Sequence, residues 1–168
     1  RWLPFLEQLS IDNGGTSGSL GVESEPKVFK DAEQAYAPII CYESIYGAFV
    51  AEQCNKGATL LCIITNDGWW GNTPGHRQHN QFAALRAIET RKYVVRSGNT
   101  GISSVWNSSG ECIKQLGYDT KGVLTAKVPL IQGKTFYVRF GDYLGWVSVV
   151  VIVALFGYKT FRAKERVK

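Results

Sequence analysis

The chain has 168 residues, of which 45% are hydrophobic and 20% are charged, a profile that indicates a globular domain with its own core and excludes general disorder. Its net charge is +5, but residues 159–168 hold five basic residues against one glutamate, so the remaining body is nearly neutral. Proteins that bind nucleic acids need a basic stripe interleaved with aromatic residues across the folded face. The sequence shows no such stripe, which argues against that class.

The chain contains no methionine, even at position 1. We therefore expect it to be the C-terminal piece of a longer protein. Residues 1–10 carry apolar side chains at mixed helical spacing, which indicates the end of an amphipathic element. Four glycines within residues 13–21 indicate a surface loop, because no strand precedes them and no G-K-[ST] motif follows, as a phosphate-binding loop requires.

The most informative stretch runs from Pro38 to Ser44, where an apolar run ends on Cys41 and continues with Tyr42 and Glu43. A cysteine at a strand-to-helix junction can use the N–H groups of the following helix, which lower the pKa of a thiol and bind a developing oxyanion. Cys41 is therefore a candidate nucleophile. The alternative is that it is a small hydrophobic residue of the core.

A strand–helix–strand pattern surrounds this cysteine. A short strand is predicted at 28–30, a helix at 44–54 with its end signalled by residues 55–57, and a strand at 58–65. The last is a continuous apolar run, as expected of a strand buried on both faces. The pattern predicts a parallel crossover, and the loop 66–75 follows the carboxyl end of a strand, where sites gather in layered α/β folds.

That loop contains adjacent tryptophans, Trp69 and Trp70, which either form a lid on the core or contact a substrate. The helix predicted over 76–92 begins with His76 and His79, which lie three residues apart and could face one way. No H-E-x-x-H arrangement and no third ligand accompany this pair. The pattern therefore favours polar residues at a helix start over a metal site.

Further strands are predicted at 93–96, 102–106, 112–116 and 122–129, with a hairpin turn at 107–110, which completes a mixed α/β domain. The four cysteines, at positions 41, 54, 62 and 112, form no C-x-x-C pair and show no metal-type spacing with the histidines, so no structural zinc site is expected. Disulfides are possible in an extracytoplasmic domain, but a catalytic Cys41 has to stay unpaired. The pairing of the other thiols is open.

Residues 143–158 carry no charge, aromatic residues cluster at both ends of this run, and a basic tail follows. Crossing the hydrocarbon core takes about 20 residues, so we predict a transmembrane helix over 137–158 that includes interfacial aromatics. A buried core helix is the alternative. Because Lys/Arg-rich flanks stay cytoplasmic, the tail at 159–168 is expected inside and the domain at 1–136 outside.

Four sequence blocks, in order, resemble motifs of the nitrilase (carbon–nitrogen hydrolase) superfamily. They are Ile40-Cys41-Tyr42-Glu43, Thr65 to Gly71, Gln78 to Glu89, and Arg96 to Ser103. With the apolar C-terminal segment and its basic tail, they resemble the membrane-embedded branch of that superfamily, the apolipoprotein N-acyltransferases. The resemblance implies an α/β fold that is the C-terminal part of an αββα sandwich, followed by one transmembrane helix.

The resemblance also implies an activity: an acyl chain passes from a phospholipid to a cysteine, as a thioester, and then to the N-terminal amine of a diacylglyceryl-cysteine apolipoprotein. It implies Cys41 as the nucleophile, Glu43 as a supporting carboxylate and Tyr42 as a neighbouring site residue. Trp69 and Trp70 would lie near the acyl or headgroup entrance. The implied partners are phospholipid, apolipoprotein and membrane, without metal, cofactor or nucleic acid, at the periplasmic side of the bacterial inner membrane.

The superfamily's general-base glutamate and its oxyanion-stabilising lysine lie N-terminal to the cysteine, on segments that would precede Arg1. Glu7, Lys27, Lys30 and Glu33 do not lie in the corresponding motifs, so none of them is assigned either role. We therefore expect this chain alone to be nearly inactive. A membrane-tethered amidase that uses water as the acceptor, and a non-catalytic membrane scaffold, stay open as alternatives.

Overall fold

The computed structural model describes residues 24–32 and 34–165, apart from the side chains of residues 160 and 163–165. The amphipathic element predicted at 1–10 and the glycine loop predicted at 13–21 lie outside the described residues. So do Glu7, Glu33 and the last three residues of the basic tail.

The described residues form a mixed α/β fold around one sheet, which confirms the α/β part of the predicted fold class. The strands are β1 (Phe29–Asp31), β2 (Gln34–Ile40), β3 (Leu60–Asn66), β4 (Tyr93–Asn99), β5 (Ser103–Trp106) and β6 (Cys112–Leu116). The helices are α1 (Gly47–Asn55), α2 (Pro74–Thr90), α3 (Phe136–Phe140) and α4 (Tyr143–Glu165). The strands lie side by side in chain order; β2, β3 and β4 are parallel, and the other neighbours are antiparallel.

Helices α1 and α2 cover one face of the sheet, and the core lies between them and the strands. Alternation along β2 places Ala37 and Ile39 in this core, whereas Ile40 points to the opposite face and is 53% exposed. On β3, Ile63 is buried and Ile64 is 55% exposed. The prediction that β3 is buried on both faces is therefore wrong for its C-terminal half, because the described helices cover one face only.

The strand predicted at 122–129 does not form. Alternate residues of this segment, such as Leu124 and Ala126, are half-buried, so the period-2 pattern is real, but the segment does not pair in the sheet. It lies beyond β6, and Lys114 of that strand holds it by donating a hydrogen bond to the carbonyl of Thr125 at 2.7 Å. Alternation therefore predicted the faces of the segment correctly but not its pairing.

The C-terminal helix begins later than predicted. Gly141, with a φ of +62°, ends α3, and α4 starts at Tyr143 rather than at 137. From residue 146 to 159 every side chain of α4 is exposed, so the alternative prediction of a buried core helix is wrong. Within the part of the chain that the structure describes, no helix is both long enough and apolar enough to cross a membrane.

Lys92 lies between α2 and β4 and is only 1% exposed. Its ammonium group donates hydrogen bonds to the carbonyls of Ile131, at 2.5 Å, and Gly133, at 2.8 Å. Burial lowers the pKa of Lys92, and these two carbonyls are its hydrogen-bond acceptors. The side chain thereby ties the irregular segment after β6 to the core.

Replacing Lys92 with methionine is expected to lower the free energy of unfolding by about 2 kcal/mol, because two carbonyls lose their donor while the apolar stem is kept. Thermal unfolding of the full-length protein measures this loss. Lys114→Met is the matched control. Lys114 likewise donates to a backbone carbonyl, but it has one such acceptor and lies on the exposed surface. Equal shifts of the unfolding midpoint in the two variants would contradict the role given to Lys92.

Candidate active site

Cys41 lies at the carboxyl end of β2 and opens a tight 3-10 turn, Cys41–Ile45, which we call the Cys41 turn. Its φ of +50° falls in the left-handed region, where a residue with a Cβ is strained. Such a conformation costs about 1–3 kcal/mol and persists only where the surroundings impose it. The residue is half-buried and its thiol is free. Cys41 is therefore held in a specific pose without being sealed in the core.

The helix predicted at 44–54 begins later, at Gly47, and only the short 3-10 turn follows Cys41 directly. Tyr46 has an extended conformation and interrupts the chain between the Cys41 turn and α1, which begins at Gly47. The N–H groups of the helix therefore do not follow the thiol directly. Local order comes instead from Glu43, whose Oε2 accepts a hydrogen bond from the N–H of Ile40 at 2.6 Å. The carboxylate of Glu43 thus spans Cys41 and closes the turn.

A buried histidine of α2 connects the Cys41 turn to the end of the next strand. His79 Nε2 lies 3.1 Å from Ser44 Oγ and 3.3 Å from the carbonyl oxygen of Cys41. Ser44 Oγ donates a hydrogen bond to the same carbonyl at 2.7 Å. The other ring nitrogen, Nδ1, lies 3.0 Å from Asp67 Oδ1. His79 therefore bridges the backbone of the candidate nucleophile and a buried carboxylate.

Asp67 is fully buried just after β3 and has three polar partners. Arg96 Nη2, from β4, donates to its Oδ2 at 2.5 Å, and Thr65 Oγ1 donates to its Oδ1 at 2.8 Å. Burial alone raises the pKa of Asp67, but the hydrogen bonds from His79 and Arg96, the charge of Arg96 and the bond from Thr65 outweigh it. The net effect holds the pKa of Asp67 well below its usual range, so Asp67 is ionised and balances Arg96.

The parallel register explains why these groups meet. Strands β2, β3 and β4 are adjacent and parallel, so their carboxyl ends lie at one edge of the sheet. Cys41 follows β2, and Asp67 follows β3. Arg96 lies within β4 and reaches the same edge with its long side chain.

An aromatic group covers the outer side of His79. The ring of Tyr42 stacks on His79 with centroids 5.5 Å apart, and Trp70 meets both rings edge-on, at 5.8 Å and 5.3 Å. Trp69 stacks on Trp70 and is 70% exposed. Trp70 therefore packs as a lid over His79, whereas Trp69 presents most of its surface to the outside.

Two cavities adjoin the Cys41 turn and are lined by its own residues. One, of about 300 Å³, is lined among others by Tyr42, Ile45, Trp70, His79 and Phe82. The other, of about 770 Å³, is lined among others by Pro38, Ile40, Glu43, Phe49 and Gln53. The larger cavity is mainly apolar, whereas polar and apolar groups line the smaller one about equally; a mixture of apolar walls and a few polar groups is usual for a small-molecule site.

The two histidines that begin α2 do not act as a pair. His76 Nε2 lies 3.1 Å from Asn72 Oδ1, its ring packs on Tyr118 with centroids 4.6 Å apart, and burial lowers its pKa. His79 points instead to Asp67 and Ser44. Within residues 24–32 and 34–165 there is no cluster of three or more His, Cys, Asp or Glu side chains that could hold a metal ion.

Cys41, Tyr42 and Glu43 are predicted as site residues from the sequence, whereas Asp67 and Arg96 are not. The available signal was polarity at positions where the pattern demands burial: an arginine among the valines of β4 and an aspartate right after the apolar β3. Opposite charges that are buried have to be paired, so these residues could have been matched with each other.

Comparison with known proteins gives a family match: residues 17–135 match the carbon–nitrogen hydrolase family. The chain is 36% identical over 163 residues to the apolipoprotein N-acyltransferase of Chlorobaculum tepidum. The aligned region covers 92% of this chain and 31% of that protein. It is 33% identical over 175 residues to the protein of the same name from Agrobacterium fabrum, with coverages of 98% and 32%. The chain thus spans just under a third of the length of these relatives.

Solved structures show the same fold. An amidase from Nesterenkonia sp. is 16% identical with a TM-score of 0.52, over 77% of this chain and 49% of the amidase. Nit3 from Saccharomyces cerevisiae, a member of branch 10 of the nitrilase superfamily, is 17% identical with a TM-score of 0.50, over 59% and 39%. The resemblance to this superfamily that the four sequence blocks indicated is confirmed.

Proposed function

Because the chain belongs to the carbon–nitrogen hydrolase family, we propose that it carries the nucleophile of an apolipoprotein N-acyltransferase. The proposed enzyme moves a fatty acyl chain from a phospholipid to the N-terminal amine of a diacylglyceryl-cysteine apolipoprotein. The observation that carries the proposal is the pose of Cys41: a free, half-buried thiol at the carboxyl edge of a parallel sheet, in a strained conformation, with neighbouring residues of the chain lining two cavities.

The proposed reaction has two steps. In the first, the thiolate of Cys41 attacks the ester carbonyl of the phospholipid; a C–S bond forms, the C–O bond breaks, and the lysophospholipid alcohol leaves with a proton. In the second, the amine of the apolipoprotein attacks the thioester; a C–N bond forms, the C–S bond breaks, and the thiol is restored. The amide product retains the acyl chain, so no water is consumed.

The neighbouring residues are proposed to support this chemistry. Glu43 holds the Cys41 turn through its hydrogen bond to Ile40, which agrees with the role of a supporting carboxylate. Tyr42 and Trp70 line the smaller cavity and would bound the site, while the exposed face of Trp69 is available to an acyl chain or a headgroup.

The C-terminal helix is proposed to place the protein at a membrane. The exposed apolar side chains of α4, such as Val150 and Ile152, support this placement, since a surface of that kind is unfavourable in water. We propose the inner membrane of a bacterium as the location, with residues 1–136 on the periplasmic side and the basic tail at 159–168 in the cytoplasm.

Intact-mass analysis of the full-length protein tests the proposed function. After incubation with a phospholipid carrying an isotope-labelled acyl chain, the protein is expected to gain the mass of one acyl group, mapped by peptide analysis to Cys41. Addition of a diacylglyceryl-cysteine peptide is expected to discharge that label onto the peptide as an amide. An adduct at another residue, or none, would refute the proposal.

A membrane-tethered amidase is the second candidate, because membership of the carbon–nitrogen hydrolase family fits a hydrolytic reaction as well. It shares Cys41 but uses water as the acceptor of the acyl group. Product analysis separates the two: an amidase releases a free acid from amide substrates, whereas the acyltransferase yields the N-acyl peptide from the phospholipid.

A further inference from the structure

One helix contacts the Cys41 turn at both of its ends. At the first residue, the carbonyl oxygen of Cys41 lies 3.3 Å from His79 Nε2; at the last, the carbonyl of Ile45 accepts a hydrogen bond from Arg86 Nη1 at 3.1 Å. His79 and Arg86 are seven residues apart, so they project from the same side of α2 about two helical turns from each other. The spacing of the two side chains thus matches the two ends of the turn.

Both of these side chains are buried, and each is fixed by a carboxylate. Nδ1 of His79 lies 3.0 Å from Asp67 Oδ1, and Arg86 Nη2 donates to Glu89 Oε1 at 3.0 Å. Neither side chain can turn away from the Cys41 turn without breaking a buried polar contact, which is costly. The two carboxylates therefore fix the orientation of both side chains.

The absence of a side chain at Gly47 leaves space beside the guanidinium group of Arg86. A Cβ added at Gly47, the first residue of α1, would collide with the hydroxyl oxygen of Tyr137 and would also come within 2.9 Å of Arg86 Nη1. A glycine at this position leaves room for the guanidinium group to reach the carbonyl of Ile45. Helix α2, which carries Arg86, is anchored as well, because its residues Ala83 and Ala87 are fully buried in the core.

We propose that, within the acyl transfer proposed above, His79 and Arg86 are positioning residues that clamp the Cys41 turn from α2. Arg86 donates to the carbonyl of Ile45, and His79 contacts Ser44 Oγ and the carbonyl oxygen of Cys41. Together they keep Cys41 at its left-handed φ of +50°, which aims the sulfur at the substrate. A strained residue persists only where its surroundings over-determine it, and these contacts reach the turn from outside.

Two variants of the full-length protein test the clamp by kinetics. His79→Phe keeps a ring to stack on Tyr42 but removes both nitrogens, and Arg86→Met keeps the unbranched stem but removes the guanidinium group. Each is expected to lower kcat for acyl transfer about 100-fold with an unchanged KM for phospholipid, because the sulfur is displaced while binding surfaces are kept. Arg86→Lys, which retains one charged donor, is expected to recover part of the rate. Arg77→Met, on the exposed side of α2, is the matched control.

Hydrogen exchange of the same variants measures the rigidity of the Cys41 turn without any substrate. Amides of residues 41–47 are expected to exchange about tenfold faster, because the N–H of Tyr46, which donates to the carbonyl of Glu43, loses its rigid frame. Amides of β3 are expected to keep the wild-type rate. Unchanged exchange at the turn, or equal acceleration in β3, would overturn the clamp. A wild-type protein that transfers no acyl chain refutes the proposed function, and the exchange result still decides on the clamp.

Discussion

Replacement of Cys41 by serine is expected to lower the rate of acyl transfer at least about 1,000-fold, the scale seen when a covalent nucleophile is removed. A serine hydroxyl is a far weaker nucleophile than a thiolate at neutral pH. An oxygen ester is also less reactive toward an amine than a thioester, so both proposed steps are slowed. Initial rates of N-acyl peptide formation by the full-length protein measure the effect.

The other cysteines provide controls for this prediction. Burial raises the pKa of the Cys54 thiol to about 11, and burial also raises the pKa values of Cys62 and Cys112. None of the three is therefore a ready thiolate at neutral pH. Cys112→Ser, at an exposed position, is expected to leave the transfer rate unchanged. Comparable losses in the Cys41 and Cys112 variants would show that the nucleophile has been assigned to the wrong residue.

The parallel crossover from β2 to β3 and the position of Cys41 could be predicted because they depend on local patterns. The apolar runs that became β2 and β3 are continuous, and each is bounded by residues that end a strand. The parallel crossover then places the residue after β2 at the carboxyl edge of the sheet. The strained conformation of Cys41 was not predicted, because it depends on contacts from α2, which lies 38 residues away at His79.

Other differences arise from partners that a local pattern does not contain. The period-2 alternation around Leu124 predicted the faces of that segment, but pairing requires a free strand edge in register, which no spacing reveals. The exposure of Ile64 depends on which face the helices cover. The contacts of Asp67 with Arg96 and His79 join residues 29 and 12 positions apart, so they follow from the fold rather than from a motif.

Substituting Asp67 with asparagine is expected to destabilise the fold by about 3 kcal/mol, because Arg96 would be left as a buried charge without its counter-charge. The pKa of Asp67 is lower in the folded protein than its unfolded value of about 3.9. The stabilisation is therefore complete above that value and is lost as the pH falls through the folded-state pKa. Thermal unfolding of wild type and variant between pH 7 and pH 3 measures the loss at neutral pH and the onset of its pH dependence.

The midpoints of wild type and Asp67→Asn are expected to approach each other toward pH 3 without meeting, because the unfolded chain takes up a proton at Asp67 there while the folded protein still holds the carboxylate ionised. Glu25→Gln, which breaks the exposed ion pair with Lys56 at 2.5 Å, is expected to shift the midpoint far less, because water screens that pair. Adding Arg96→Met to Asp67→Asn is expected to restore part of the stability, because the uncompensated cation is then gone. A double variant less stable than Asp67→Asn would mean that Arg96 stabilises this edge of the sheet through its bond to the carbonyl of Ile102 rather than through Asp67.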